Sequence, residues 1–562
     1  MTRRGDPVRT IAVLGGGISG LTAAFSLRRL LPVSKYRIVV VEARPRLGGY
    51  IQSERVAVFD DARGPETALL EYGPRTVIPH GYRGYRMLEL LEQLDLVDRM
   101  LVVPKTSASA RNRFLYHDEK LERLASSLPA IPGVLWRVPW MRRVFWRALR
   151  EPWVEPSAAL HTPDGSGDES VDEFCARRLG RDAADVLASA MMHGIYAGDS
   201  RRISVRSAFP ALVALEQKHG SLLGSLFRCG KRRGHAAVSD YMAAEAHRKR
   251  EVAARLAEPT LAKIHDASVY SFPNGLGEIT AALQRHLTAA ENVEVWTGSP
   301  CERIDTPTDG GPFRAHIADE REPLAADRIV AALPAAKLAP FFPDMPHLAH
   351  NPAAHVGVVD VVLAPPDAGT PLYSLPVRGF GYLVPRVARN NPDQILGVIF
   401  DSDAVSNQGT PGETTSPPFA KLTVMVGGPY WEALGSSNLP DTDEITRRAL
   451  RALGGQLGVP TDVLRTHVRY TRARILTDCI PQYQVGHVWR MRELHDALQS
   501  DPRWRDRLTL VGNSYTGVGV NDCVSMTLDA TEAIALYEEG DVTHESTSQS
   551  TGLASLIERL MR

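Results

Sequence analysis

The sequence predicts an α/β protein with a discontinuous Rossmann-like dinucleotide-binding domain, a mixed-sheet substrate domain and a helical membrane-associating region. Three observations predict it. A strand, a glycine-rich turn, a helix and a second strand open the chain; a second glycine-rich segment lies near its end; and strand-like runs follow one another closely between them. The 562 residues suffice for two to four domains at about 100–200 residues each, and a hydrophobic share of 44% supplies their cores.

Composition narrows the function. Equal counts of 65 Lys and Arg and 65 Asp and Glu argue against nucleic acid as a partner, because phosphate binding needs a basic surplus. The five cysteines, Cys175, Cys229, Cys301, Cys479 and Cys523, lie far apart without a C-x-x-C pair, which excludes a zinc ribbon and argues against a disulfide framework. No apolar run approaches the ~18 residues that span a bilayer. Residues 1–10 carry Arg3, Arg4 and Arg9 with no apolar segment behind them, so they read as an organelle address or a frayed terminus rather than a secretory signal.

Thr10-Ile-Ala-Val-Leu14 is a buried strand by its β-branched apolar run, and the small-residue segment after Gly15-Gly16-Gly17-Ile18-Ser19-Gly20 is a helix. Gly15, Gly17 and Gly20 fit G-x-G-x-x-G, which permits a tight turn, approach of a pyrophosphate to the backbone, and close packing of helix on strand. The helix start offers unpaired N–H groups and a partial positive charge to the diphosphate. Arg37-Ile-Val-Val-Val-Glu42 is the second strand, and Glu42 at its end is placed to accept hydrogen bonds from a ribose. The fingerprint serves NAD and FAD alike.

Further along, residues 83–99 have leucines at helical spacing and predict an amphipathic helix. Residues 229–262, with Lys231, Arg232, Arg233, Arg248, Lys249 and Arg250 among alanines, read as an exposed insertion with a helix. The runs at 356–363, 395–400 and 422–426 succeed one another without helices and predict a separate mixed or antiparallel sheet. The polar stretches 402–418 and 538–552 read as a surface loop and a disordered tail. Trp136, Trp140, Trp146 and Trp153 are half of the eight tryptophans and are interleaved with Arg137, Arg142, Arg143, Arg147 and Arg150. Such a cluster either faces a bilayer interface, where tryptophan and arginine meet anionic head groups, or fills a core or dimer contact.

Glu42-Ala43-Arg-Pro-Arg46-Leu-Gly48-Gly49 resembles the second phosphate-side motif of FAD oxidases of the amine-oxidase type, which points to FAD as the cofactor. Leu510-Val-Gly512-Asn513-Ser-Tyr-Thr-Gly517-Val518-Gly519-Val520-Asn-Asp-Cys523 is similar to the C-terminal FAD-binding motif of the protoporphyrinogen oxidase family. Glu71-Tyr-Gly73-Pro74-Arg75-Thr76, Asn112-Arg113-Phe-Leu-Tyr116, Gly194-Ile-Tyr-Ala-Gly198-Asp199, Gly379-Phe-Gly-Tyr-Leu383-Val-Pro385, Leu422-Thr-Val-Met425-Val-Gly-Gly428 and Ile480-Pro-Gln-Tyr-Gln-Val-Gly-His487 resemble further stretches of that family, in the same order.

The resemblance implies that FAD is held by Gly15, Gly16, Gly17, Ile18, Ser19, Gly20, Glu42, Ala43, Arg46, Gly49, Tyr50, Gly73, Pro74, Arg75, Thr76, Cys301, Asn513, Val518, Gly519 and Val520, with Arg75 beside the flavin and Cys301 near the adenine. Arg113 matches the anchor of a substrate propionate, suited to it because a guanidinium fork meets both carboxylate oxygens. Leu383 and Met425 match apolar residues that sandwich the macrocycle, and Gly194 matches a backbone position facing the pyrrole nitrogens. Cys301 stands where the family has a small apolar residue, and Asn513 where it often has alanine; both are departures, as are the insertions 229–262 and 402–418.

On this resemblance the FAD-binding domain comprises residues 8–82, 263–345 and 471–537. Residues 83–228 form the helical membrane-associating and substrate region, 229–262 the charged insertion, 346–470 the substrate-binding sheet domain with loop 402–418, and 538–562 a C-terminal tail. The implied activity is a six-electron oxidation of protoporphyrinogen IX to protoporphyrin IX in haem biosynthesis, with dioxygen as acceptor and hydrogen peroxide as by-product. A homodimer held peripherally on the mitochondrial inner membrane, and a contact with ferrochelatase, are also implied. No Ser-His-Asp set, G-x-S-x-G or H-E-x-x-H is present, so no general base and no metal site is assigned. Two other readings stay open: another amine-oxidase-type flavin oxidase or desaturase, including coproporphyrinogen oxidation, and a flavin-binding scaffold without turnover.

Overall fold

The computed structural model describes residues 8–61, 64–125, 131–160, 167–224, 240–307, 310–318, 322–367, 370, 372–405, 408, 419–540, 550–554 and 556–557. Five parallel strands form one sheet in the order Leu508–Leu510, Arg328–Ala331, Arg9–Leu14, Tyr36–Val41 and Val293–Trp296. Its strands are drawn from three distant parts of the chain, so the nucleotide-binding unit is discontinuous as expected. They are near-continuous Val, Ile and Leu runs because a parallel sheet is buried on both faces. Helix Ile18–Leu30 packs against Val520–Glu538 and Gly277–Thr288, and Ser26 bonds Thr531 at 2.7 Å where the first two meet.

The second sheet has seven strands, in the order Val468–Pro481, Ala353–Leu363, Ala420–Gly427, Ile395–Ile399, Gly381–Leu383, Phe114–His117 and Lys120–Arg123. All neighbours are antiparallel except Gly381–Leu383 with Phe114–His117, so the sheet is mixed. Successive side chains in a strand point to opposite faces. One face carries Phe114, Tyr382, Val398, Val424, Leu422, Val359 and Val361, and helix Thr442–Leu457 seals it through Ile445, Ala449 and Leu453. The other face is left for a site.

Several expectations are corrected. The helix predicted over 83–99 runs Gly81–Gln93 and stops where Asp95 turns left-handed at φ 56°. Within the charged insertion, residues 229–239 lie outside the described residues; helix Asp240–Ala253 docks on helix Gly81–Gln93, and Val252 and Leu256 are buried rather than exposed. Loop residues 406–407 and 409–418 also lie outside, but Gln408 is buried and donates to Ser271 and the Phe272 carbonyl at 2.9 and 3.0 Å. The C-terminal tail is not loose where it is described: Leu553 and Leu556 enter the core of the nucleotide-binding unit, and Leu510 N donates to Thr551 O at 3.0 Å. Residues 541–549, 555 and 558–562 lie outside. The tryptophans divide. Trp140 is 3% exposed and donates to Glu122 at 2.7 Å, whereas Trp136, Trp146 and Trp153 are 84, 63 and 80% exposed. Among the described residues no helix is long and apolar enough to cross a membrane.

Candidate active site

Both glycine-rich segments fold into helix starts that lie side by side. Gly15 adopts φ +106°, and a Cβ on Gly20 would sit 1.8 Å from the Gly15 carbonyl oxygen, so the turn and the helix can approach only with glycine at both positions. Helix Ile18–Leu30 has no side-chain cap at Gly17 and no acid in its first turn, which leaves its N–H groups free for an anion. Helix Val520–Glu538 begins at Gly519, whose amide donates to Asp522 at 3.0 Å; Arg83 pairs with Asp522. Around the first helix start, Gly48 N donates to Gly16 O at 2.8 Å, and Arg46 braces the loop by donating to Gly49 O at 2.7 Å. Glu42 accepts from Gly16 N at 2.6 Å and Arg44 N at 2.8 Å, which fixes its carboxylate at the strand tip. Gly298 N and Ser299 N bond Arg44 O and Glu42 O, so the segment leading to Cys301 lies along that tip; burial pushes the Cys301 thiol up to about 11. One uncapped helix start at Gly17, an acid at the strand end and a glycine cradle fit the diphosphate and ribose of a dinucleotide, whereas the neighbouring start at Gly519 is already capped by Asp522.

The predicted substrate residues lie on the face of the seven-stranded sheet that Thr442–Leu457 does not cover. Strand register puts Leu115, Leu383, Gly397, Met425 and Val358 in one row across five strands. Arg113 directly precedes strand Phe114–His117 and continues its hairpin pairing, Leu124 N donating to Arg113 O at 2.9 Å, so the alternation carried one residue further puts it on the side of Leu115. Its side chain is accessible, yet the guanidinium lies 4.9 Å from the Phe380 ring centroid and burial lowers its pKa. No carboxylate of a described residue pairs with it. Gly194, in helix Ser189–Tyr196, presses on the same row: a Cβ there would lie 2.9 Å from Leu383 Cδ2. Arg113, Gly194, Leu383 and Met425 are thus brought together around an apolar wall. Sequence reasoning missed Met191 and Ile195, which flank Gly194 at helical spacing and are 42 and 44% exposed, and Phe380. The i, i+3, i+4 pattern of 191, 194 and 195 was the available signal for the first two.

The nucleotide and sheet units meet at Arg75. Its guanidinium donates to Asp401 at 3.1 Å and to Glu71 O at 3.1 Å, both deep in the protein. Burial pushes the Glu71 carboxyl up to about 7, although Ser53 and the Leu276 amide donate to it at 2.6 and 2.7 Å. Tyr50 also spans the two units, donating to Asp478 O at 3.0 Å, and Asn513 does so through Cys479 O at 3.2 Å. His487 Nε2 donates to Tyr515 O at 2.7 Å and its ring stacks on Tyr483 at 4.1 Å, so the 480–487 segment holds the C-terminal glycine motif in place. Among the described residues no group of His, Cys, Asp or Glu is arranged to hold a metal.

Comparison with known proteins agrees with this geometry. The flavin containing amine oxidoreductase family matches residues 18–535. The protoporphyrinogen oxidase of Homo sapiens is 34% identical over 527 residues, covering 92% of this chain and 96% of the relative. That of Schizosaccharomyces pombe is 32% identical over 521 residues with the same coverage. A solved structure from Exiguobacterium sp. 255-15 superposes with a TM-score of 0.69 at 23% identity, covering 95% of this chain and 100% of that one, which speaks for the fold. The chain belongs to the flavin containing amine oxidoreductases, within the protoporphyrinogen oxidase family, and is an oxidoreductase with FAD as its cofactor.

Proposed function

We propose that this chain oxidises protoporphyrinogen IX to protoporphyrin IX, with dioxygen as acceptor and hydrogen peroxide as by-product. The observation that carries the reading is the row Leu115, Leu383, Gly397, Met425 with Arg113 beside it on one sheet face. A porphyrinogen is a broad apolar ring with two propionates, and it needs an apolar wall with one well-placed cation. Arg113 offers that cation without a competing carboxylate among the described residues, and its contact with Phe380 holds the fork at the edge of the wall. Leu383 and Met425 supply the wall; Gly194 keeps the facing helix close without adding a side chain. The nucleotide cradle would hold FAD through Gly15–Gly20 and Glu42, and bound FAD supplies the two-electron redox chemistry. Purified protein given protoporphyrinogen IX under air is expected to yield porphyrin fluorescence and peroxide well above autoxidation. No gain over autoxidation, or equal turnover of coproporphyrinogen, moves the assignment to another member of the family.

The reading extends to peripheral association with a membrane, proposed as the mitochondrial inner membrane. It is supported by Trp136, Trp146 and Trp153 on helices Ile131–Arg137 and Pro139–Arg150 and the turn Glu151–Trp153, together with exposed Arg142, Arg147 and Arg150. Trp140 belongs to the core and is left intact. Replacing the three exposed tryptophans by alanine and Arg142 and Arg147 by glutamate is expected to shift most of the protein from pelleted anionic vesicles to the supernatant. Unchanged pelleting rejects this surface.

A further inference from the structure

The row next to Leu383 and Met425 on the same sheet face contains Thr423 and Asp360, which are opposite each other in register. Thr423 Oγ1 lies 2.6 Å from Asp360 Oδ1 and 2.6 Å from Asp401 Oδ2, and all three residues are buried. A hydroxyl has one proton and can donate to one carboxylate only. If both acids were ionised, the second contact would set lone pair against lone pair at hydrogen-bonding distance in a dry site. One acid must therefore donate. Asp401 is paired with the Arg75 guanidinium at 3.1 Å. Asp360 has no cation within ion-pair distance among the described residues, and its Oδ2 is buried without a hydrogen-bond partner, a condition far less costly for a neutral acid than for a carboxylate.

We infer that Asp360 is a protonated acid that donates through Thr423 to Asp401, and that this chain is a positioning device for Arg75 at the seam between the nucleotide and substrate units. The other charged and titratable groups around it are few: Arg75 acts on Asp360 as well as on Asp401; Lys421, from the same strand as Thr423, directs its ammonium to Leu69 O; Tyr72 approaches from the segment before Arg75; and Arg472 is opposite Asp360 in register on the edge strand. Burial pushes Asp360 up to about 6, above the usual carboxylate value of 3.8. The proton is therefore held below that value and lost as pH rises through it, when a second negative charge competes with Asp401 for Arg75.

The inference rests on Arg75 lying near bound FAD, and two measurements separate it from that reading. The infrared difference between wild type and Asp360→Asn, recorded below pH 6, is expected to contain a carboxylic-acid C=O band assigned to wild type; a difference with carboxylate bands alone overturns the inference whether or not flavin is bound. The flavin reduction potential of wild type is expected to fall more steeply with pH above that value than in Asp360→Asn, because ionised Asp360 disfavours added electron density. Parallel slopes overturn the positioning role. If Asp360→Asn does not fold, Thr423→Val keeps the shape and removes the hydroxyl: the wild-type acid band is expected to shift to higher frequency, and an unshifted band overturns the shared proton.

Discussion

Gly20→Ala is expected to give protein that retains no flavin after gel filtration and unfolds at a much lower temperature. The added Cβ would lie 1.8 Å from Gly15 O and 3.4 Å from Ala332 Cβ, so the helix must move away from the sheet. Gly15 cannot give way, because its amide is tied to Val41 O at 2.8 Å and its φ of +106° is fixed by the turn. Overpacking a dry contact costs about 1–3 kcal/mol, and displacing the helix start also breaks the Gly16–Glu42 bond, so the total belongs to the severe class, roughly 4 kcal/mol. Gly435→Ala is the control. That glycine has φ +64° but nothing within 4 Å of an added Cβ, so only backbone strain of about 1 kcal/mol is expected, with flavin retained. A fully flavinated Gly20→Ala protein with normal stability contradicts the packing argument.

Arg113→Ala is expected to lower kcat/KM for protoporphyrinogen IX by about 10- to 150-fold, the equivalent of about 1.5–3 kcal/mol for a hydrogen bond to a charged group. Most of the loss should fall on KM, because the propionate does not change during oxidation and its binding is shared by ground and transition states. Flavin content should be unchanged, since Arg113 directly precedes a sheet strand and stacks on Phe380 rather than on the nucleotide cradle. Arg113→Lys should recover part of the affinity, because a single ammonium keeps the charge and loses the fork. Steady-state kinetics and the flavin absorbance of the same preparations check all three. Loss of flavin together with activity would mean that Arg113 supports the cofactor site instead.

The nucleotide-binding half was legible because its signals are local. Glycine spacing, an apolar strand on either side and Glu42 at a fixed offset all lie within one βαβ unit. The proposed substrate wall was legible only as separate motifs. Arg113, Leu383 and Met425 become neighbours through a strand order that inserts Phe114–His117, in parallel, beside Gly381–Leu383; no local period encodes that pairing. The tryptophan cluster was ambiguous for a related reason. Trp136 and Trp140 are four residues apart and would share a face in one helix, but the chain breaks at Val138 between two helices, so one ring is exposed and the other buried. In the charged insertion, Val252 and Leu256 form an i, i+4 apolar pair that the surrounding charges masked, and it is this pair that the fold buries.

The most direct measurement compares protoporphyrinogen IX with its dimethyl ester, in wild type and in Arg113→Ala. Esterification removes both carboxylates and leaves the ring intact. Wild type is expected to prefer the diacid strongly in kcat/KM, and Arg113→Ala is expected to turn over the two at similar rates. A variant that still prefers the diacid as strongly as wild type would place the carboxylate anchor elsewhere and contradict the sheet-face site.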